Sequence, residues 1–597
     1  MNTWRKALAL LSRKEKRRGG LVLGMVIVMA VLETVGVASV IPFLSVLGNP
    51  EVVHTNPALA NPYETLGFES TDAFLMALGG LAFGLILFSA AFRIVTHYVM
   101  NRYIEMRRHS LGERLLETYL RQPYSYFLNR HSGDMAKSIL SEVDQLIQNV
   151  FRPGIQAVAY TVVAVSMVVL LFIIEPLLAL TIAVVIGGLY ALIYGVVRGL
   201  LGRIGRDRAN ANKERFTTAG EALGGIKPIK LLGREHAYLS RFRPASVRFS
   251  RHQSSNQTLS EAPKFLIEAV AVGGVLALAL FLMATREGVG DMLPILGLYA
   301  FAGYKLLPAV QHIYKGMTKL RFGAAAVDDI HQDLKNRAAL AEIHHDAPRP
   351  LNPQREIRLN HVHYQYPGAE KLALTDIDLT IPVGHSIGLV GGTGAGKTTL
   401  VDLILGLLRP TQGQLEVDGQ PITHDNLRAW QQAVGYVPQE IFLTDASVSE
   451  NIALGIPPDQ IDHTAVERSA RMAQVHEFIA NELPHGYNTP VGERGVRLSG
   501  GQRQRIGIAR ALYHEPEVLV LDEATSALDN ATEAAVMEAV EGLSQEKTII
   551  LIAHRLGTVK YCEQICRLHG GRLAGKGAYD DMVDKRGEFR GSAPQDA

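Results

Sequence analysis

Gly391-Gly392-Thr393-Gly394-Ala395-Gly396-Lys397-Thr398 has the spacing G-x-x-x-x-G-K-[ST] of a glycine loop that wraps the phosphates of a nucleotide. His385-Ser386-Ile387-Gly388-Leu389-Val390 before it reads as a short apolar strand, and Thr399-Leu400-Val401-Asp402-Leu403-Ile404-Leu405 after it has helical spacing. A glycine turn between a strand and a helix N-terminus points backbone N–H groups and a positive dipole end at an anion. Lys397 is then placed to reach the β- and γ-phosphates, and the Thr398 hydroxyl to ligate Mg²⁺. The loop alone leaves open whether the triphosphate is hydrolysed and to what end.

With 597 residues the chain is too long for one core and should hold at least two domains. Hydrophobic residues make up 47% and charged residues only 20%, a balance that suits a protein part embedded in a membrane and part soluble. The net charge of +2 argues against nucleic acid as a partner. Cys562 and Cys566 are the only cysteines, which excludes a disulfide framework; a lone C-x-x-x-C is poor evidence for a metal site, so both read as reduced, structural cytosolic cysteines. A basic run precedes the first hydrophobic segment, as in a signal peptide, but the segment is too long for one and has no cleavage site after it, so it reads as a retained span.

Six segments are long and apolar enough to cross a bilayer, near 20–43, 74–100, 149–173, 177–198, 264–285 and 291–313. The sixth is the least hydrophobic. Charges in the connecting loops alternate in support of this division. The N-terminus carries Arg5, Lys6, Arg13, Lys14, Lys16, Arg17 and Arg18, whereas 45–73 holds no Lys or Arg. The next loop is basic, the turn at Glu175-Pro176 has no positive charge, and the stretch holding Arg198, Arg203, Arg206 and Arg208 is basic again. Both termini are thereby expected in the cytoplasm. The cytoplasmic loops at 101–148 and 199–263 have helical periodicity. Two helices and a crosspiece in each would extend the bundle roughly 35 Å below the membrane, with crosspieces at 124–130 and 222–232 placed to touch a soluble domain.

The transmembrane domain is expected over 1–330, and a proline-rich linker over 331–354. An α/β domain with a mostly parallel central sheet should then run over 355–590. Within it, Glu517-Val518-Leu519-Val520-Leu521-Asp522-Glu523 is a continuous apolar run ending in two acids, the pattern of a parallel strand buried on both faces. Asp522 is placed to hold Mg²⁺ near the glycine loop, and Glu523 to orient or deprotonate an attacking water.

Between these motifs lies Leu498-Ser499-Gly500-Gly501-Gln502, followed by Arg503-Gln504-Arg505. Small residues opening a helix make a second anion-binding surface, which a single phosphate site does not need. Glycine loop, pentapeptide and acid-tipped strand, in this order, resemble the nucleotide-binding domain of ATP-binding-cassette (ABC) transporters, and six spans followed by one such domain resemble an exporter half-transporter of type IV layout. The resemblance implies the fold: an α-helical transmembrane domain followed by an α/β P-loop NTPase domain of the ABC type. It implies ATP and Mg²⁺ as cofactors and a homodimer with two equivalent composite ATP sites, in which 498–502 of one chain closes over the ATP of the other. It counts Thr399 with the loop among the nucleotide-binding residues, matches Tyr366 to the aromatic that stacks on adenine, and matches Gln439 to a glutamine that touches Mg²⁺. Val491-Gly492-Glu493-Arg494-Gly495 matches a segment that senses the crosspieces, Asp529 the D-loop acid, and His554 the switch histidine at the γ-phosphate.

The cargo is less legible. Arg93, Lys264 and Lys305 lie within or at the edges of the second, fifth and sixth spans. Facing lipid, each would cost about 2.5–3.5 kcal/mol; snorkelling relieves that for Arg93 and Lys264, and facing a cavity would suit an anionic ligand such as a lipid phosphate or pyrophosphate. Leu11-Ser12-Arg13-Lys14-Glu15-Lys16, Leu32-Glu33-Thr34 and Val40-Ile41-Pro42-Phe43 resemble bacterial lipid-linked oligosaccharide flippases of the PglK type, which serve protein glycosylation. That resemblance implies a lipid-linked pyrophosphate oligosaccharide as substrate, moved from the cytoplasmic to the outer leaflet of the bacterial inner membrane. It also implies a small external helix in the segment 47–66. A multidrug or general lipid exporter is the rival within the class. A peptide exporter is less favoured because no N-terminal peptidase domain precedes the spans, and an ATP-gated channel or regulator because Glu523 is intact. Six spans exclude a soluble ABC protein of DNA repair or translation.

Overall fold

The computed structural model describes residues 3–583 apart from 129, 131, 175, 286–288, 336–348, 493–494, 524–532, 535–536, 539–541, 543–546 and 554–557, and without the side chains of 132, 178, 271, 275, 278–279, 281–296 and 298. The chain forms two compact units, one of residues 1–122 and 130–342, the other of 123–129 and 343–597.

The first unit is all helix. Its long elements are α1 (Arg13–Ala38), α2 (Thr71–Leu120), α3 (Arg152–Ile174), α4 (Pro176–Gly224), α5 (Glu235–Thr285), α6 (Val289–Phe322) and α7 (Ala324–Lys335). α1 starts at a capping box in which Ser12 and Glu15 satisfy each other's backbone N–H groups. α2 is capped by Ser70, whose hydroxyl accepts from the Ala73 amide. Its 50 residues span about 75 Å, far more than a bilayer needs, so it continues beyond the apolar core as the periodicity predicts. Where crosspieces were expected there are short helices, Ile226–Leu232 in this unit and Tyr124–Phe127 in the other. In the segment 47–66, Pro57–Thr65 is indeed helical, started by Asn56 and by proline at the first turn.

Among the described residues, four helical stretches are long and apolar enough to cross a membrane: Arg13–Gly48, Thr71–Leu120, Gly133–Ile174 and Ala179–Gly224. They contain the first three expected spans and all of the fourth from residue 179 onward. The fifth and sixth fall on α5 and α6, where many side chains lie outside the described residues. The bundle core gathers Met29, Ala30, Val163, Met167, Tyr299, Ala302, Leu306 and Ala309 from α1, α3 and α6. α3 and α6 approach so closely that a Cβ added at Gly316 would stand 2.5 Å from the Ala157 methyl carbon. In lipid, small residues of this kind allow helices the close packing that replaces a hydrophobic driving force.

The second unit is α/β and holds two sheets. The expected mostly parallel sheet has the order β10-β9-β3-β8-β7-β6. Its strands are β3 (Ser386–Val390), β6 (Val434–Val437), β7 (Val518–Asp522), β8 (Thr548–Ile552), β9 (Gln564–His569) and β10 (Arg572–Gly577), of which only β10 runs antiparallel to its neighbour. A separate antiparallel sheet of order β2-β1-β4-β5 was not expected; it is built of β1 (Glu356–Tyr364), β2 (Leu374–Pro382), β4 (Gln412–Val417) and β5 (Gln420–Pro421). Two helices matter for the site: α8 (Lys397–Ile404) and α9 (Gly500–Leu512). Strand periodicity divides the interior. Val518 and Val520 of β7 pack with Ile357, Leu379 and Leu400 on one face, whereas Leu519 and Leu521 pack with Ile506 and Ile508 on the other. A strand buried on both faces needs apolar residues at every position, hence the unbroken run that ends at Asp522.

Candidate functional site

The glycine loop joins β3, buried at all five positions, to α8. Its glycines are required by the backbone. Gly396 has φ 101°, and a Cβ there would meet Leu374 Cδ2 at 2.7 Å. At Gly391 a Cβ would stand 2.4 Å from the Leu568 carbonyl oxygen of β9. The loop therefore lies against its own sheet. Lys397 folds back over it, donating to the carbonyls of Gly391 at 2.8 Å and Gly392 at 3.1 Å. Burial pulls the Lys397 ammonium below its ordinary pKa, against the opposing charges of Glu523 and Asp522. Thr393, Gly394 and Thr398 are exposed, so the Thr398 hydroxyl is open to a ligand, while Gly392 is exposed and Ala395 is buried.

Thr399, buried in the first turn of α8, shares a 2.9 Å hydrogen bond with the Tyr366 hydroxyl. Tyr366 also meets Tyr364 edge-on at 5.0 Å, so the ring is held beside the loop from two sides. At the carboxyl end of β7, Asp522 is buried and bonded by the Tyr436 hydroxyl of β6. Burial and the Asp522 charge push the Tyr436 phenol above its ordinary pKa and keep it a donor. Glu523 follows with φ 49°, its amide anchored on the Ile552 carbonyl at 3.1 Å, and its carboxylate accepts from the Gln439 amide at 2.7 Å. Asp402 of α8 joins this group without having been expected there. Burial, reinforced by the charge of Asp522, pushes its carboxyl up to about 6.

The site thus draws Lys397, Asp522, Glu523 and Gln439 together from β3–α8, β7 and the end of β6. The donors fit the implied groups. Among the described residues no cluster of three His, Cys, Asp or Glu could hold a metal by itself. One carboxylate, one hydroxyl and one amide suit a Mg²⁺ ion that keeps waters and takes its remaining ligands from phosphates.

The pentapeptide 498–502 forms the start of α9. Ser499 and Gln502 make a reciprocal capping box at 3.2 and 2.8 Å, and Arg503 secures the preceding turn through the carbonyls of Gly495 and Leu498. Leu498 is buried, while Gly500 and Gly501 are partly open. Among the described residues no hydrogen bond joins this segment to the glycine loop. Asp529, His554, Glu493 and Arg494 lie outside the described residues.

In the helical unit, Arg93 and Lys305 converge on Glu33. Arg93 Nη1 donates to Glu33 Oε1 at 3.2 Å, and Lys305 Nζ lies 3.9 Å from the same oxygen. Lys264 does not join them: it pairs with Glu268, one turn further along α5, at 3.6 Å. Glu33, Asp402 and Tyr436 escaped the sequence reading. An acid inside the apolar run 21–40 was the available signal for Glu33.

The structure resembles that of a bacterial Atm1-family ABC exporter with ATP bound, with a TM-score of 0.75 over 94% of this chain and 95% of that one at 24% identity. In sequence, the chain is 31% identical to the heterocyst differentiation ATP-binding protein HepA of Nostoc sp. (strain PCC 7120), over 85% of this chain and 82% of HepA. It is 30% identical to an ATP-dependent lipid A-core flippase of Alkalilimnicola ehrlichii, over 85% of each. The family models for the ABC transporter and for the ABC transporter transmembrane region match residues 374–526 and 21–297. The chain belongs to the ABC transporter family, and is a membrane-spanning exporter whose ATPase domain couples ATP hydrolysis to transport.

Proposed function

We propose that the chain flips a lipid-linked pyrophosphate oligosaccharide from the cytoplasmic to the outer leaflet of a bacterial inner membrane. The observation that carries this reading is the pair of cations, Arg93 and Lys305, gathered on helices of the transmembrane region. A charged headgroup cannot enter hydrocarbon unaided, and two cations against one carboxylate leave a surplus that suits phosphate. The resemblance at 11–16, 32–34 and 40–43 supports the lipid-linked oligosaccharide among anionic lipids. A second reading, export of another anionic glycolipid, is favoured by the name of the relatives that are lipid A-core flippases.

The working unit in this reading is a homodimer of chains with six spans each, both termini in the cytoplasm, divided into 1–330, a linker at 331–354 and an ATPase domain at 355–590. Tyr366 stacks on adenine, the loop 391–398 with Thr399 cradles the phosphates, and 498–502 of the second chain closes the site. Mg²⁺, held by Thr398, Gln439 and Asp522, would neutralise charge on the β- and γ-phosphates. Glu523 orients and deprotonates the attacking water, His554 contacts the γ-phosphate, and Asp529 serves the D-loop role. Arg93, Lys264 and Lys305 line the substrate path, with Lys264 as the outlying member.

Reconstitution in liposomes tests the proposal, by following ATP-dependent translocation of a labelled lipid-linked oligosaccharide beside a labelled lipid A-core glycolipid. Preferential movement of the first is expected. Stimulation of ATP hydrolysis by drugs or peptides but not by glycolipids would sink it.

A further inference from the structure

Glu33 is an acid in an unusual place. It sits on α1 among the buried Met29, Ala30 and Val37, with its side chain only 6% exposed. Its Oε1 takes both cations, Arg93 from α2 and Lys305 from α6. The partners differ in freedom: the Arg93 side chain is 44% exposed and that of Lys305 22%. The acid is therefore fixed and its bases are long and movable. The polar strip continues one turn along α2 to His97, while from Lys305 two turns along α6 lead to His312. Tyr160 of α3 joins the two histidines, its ring stacked on His312 at 4.2 Å and 6.5 Å from His97.

A buried ion pair breaks about even against apolar packing unless its geometry is close. Here neither contact is close: Arg93 reaches Glu33 through one nitrogen at 3.2 Å and Lys305 stands 3.9 Å away, so two positive charges share one negative one and leave a surplus that a second anion would neutralise. Arginine binds phosphate through a two-pronged fork and binds it more strongly than it binds one carboxylate oxygen at 3.2 Å. We propose that Glu33 is an internal counter-ion that competes with the substrate's phosphate or pyrophosphate for Arg93 and Lys305. It keeps the cations neutralised between substrates and weakens the hold on the headgroup enough for release. The inference rests on the anionic-lipid reading above and adds a specificity residue to it.

The test is substrate-stimulated ATP hydrolysis by the full-length protein in nanodiscs, titrated with geranylgeranyl pyrophosphate, inorganic pyrophosphate and geranylgeraniol. In Glu33→Gln the half-saturating concentration of geranylgeranyl pyrophosphate should fall about tenfold, within the usual range of coupling between two sites, with no gain in maximal stimulated rate. In an Arg93→Gln, Lys305→Gln background the same substitution should change nothing. Glu33→Asp, which keeps the charge but shortens the reach, covers the case in which Glu33→Gln does not fold, and should give a smaller fall. A wild type that responds while Glu33→Gln or Glu33→Asp shows an unchanged or raised half-saturating concentration overturns the role of Glu33 alone. A wild type that responds to none of the probes, or equally to geranylgeraniol, overturns the anionic-lipid reading beneath it. A response to inorganic pyrophosphate equal to that of the prenylated probe, with the same shift in Glu33→Gln, upholds the competition and assigns it to a soluble anion.

Discussion

The Gln439 side-chain amide donates a 2.7 Å hydrogen bond to the Glu523 carboxylate, across 84 residues of sequence. This bond joins the segment after β6 to the end of β7, so the group proposed to bear on the metal also fixes the group proposed to activate water. Glu523 has little freedom of its own, because its backbone is anchored on Ile552 in a left-handed conformation.

Glu523→Gln is accordingly expected to keep ATP binding, since the amide fills the same space, and to lose nearly all turnover. A nucleotide-binding titration beside a phosphate-release assay checks this. Retention of full ATPase activity would refute Glu523 as the base.

Lys305→Gln and Lys264→Gln should behave differently, because Lys305 shares Glu33 with Arg93 whereas Lys264 pairs locally with Glu268. Lys305→Gln should lower lipid translocation in liposomes several-fold more than it lowers basal ATPase. Lys264→Gln should do so less. Equal loss of both activities in Lys305→Gln would point to folding rather than to transport.

Arg208 and Glu142 form an ion pair in which neither side chain is exposed at all, and Asn212 adds a 3.1 Å bond to Glu142. Removing one partner leaves a buried charge without compensation. Glu142→Ala should therefore destabilise the helical unit by about 3–5 kcal/mol, and the replacement of Glu142 and Arg208 together by Met and Leu by far less. Thermal unfolding in detergent distinguishes the two.

Asp418 stands at φ 52° after β4, and its carboxylate accepts the amides of Gln354, Arg355 and Glu356 at 2.8, 2.7 and 3.0 Å. Burial acts to raise its pKa, but the three N–H groups together carry it below the ordinary carboxylate value. A depressed folded pKa stabilises above the unfolded value and ceases to do so as pH falls through the folded one. Asp418→Asn keeps a residue that tolerates the left-handed backbone and should cost about 2 kcal/mol near neutral pH. That difference should begin to shrink below about pH 4, where the unfolded carboxyl protonates, and vanish as pH falls through the lower value of the folded one. Fluorescence of Trp430, buried in this unit, follows the transition in a Trp4→Phe background.

The strand, turn and helix around Lys397 were legible because each is written in contiguous residues. The unbroken apolar run 518–521 announced a strand buried on both faces for the same reason. The antiparallel sheet was not announced: β1 pairs with its sequence neighbour β2 and with the more distant β4 through register shifts at 359–364, which break the strict alternation that would mark the strands. Asp402 looked like an ordinary position in a short amphipathic helix; its burial in the folded unit, reinforced by the charge of Asp522 on β7, turns it into an acid with a raised pKa.

Local order and composition thus determined, from the sequence alone, the membrane-then-ATPase layout, the phosphate loop and the acids at the tip of β7. Tertiary structure alone decided that Arg93 and Lys305 meet at Glu33, that Lys264 stays apart, and that Gln439 holds Glu523. The physical reason is the range of the forces concerned. Helical and strand periodicity, turns and bilayer-length hydrophobicity act over neighbouring residues. Charge pairing in a buried environment depends on which helices the packing of Ala30, Met167 and Ala302 brings side by side.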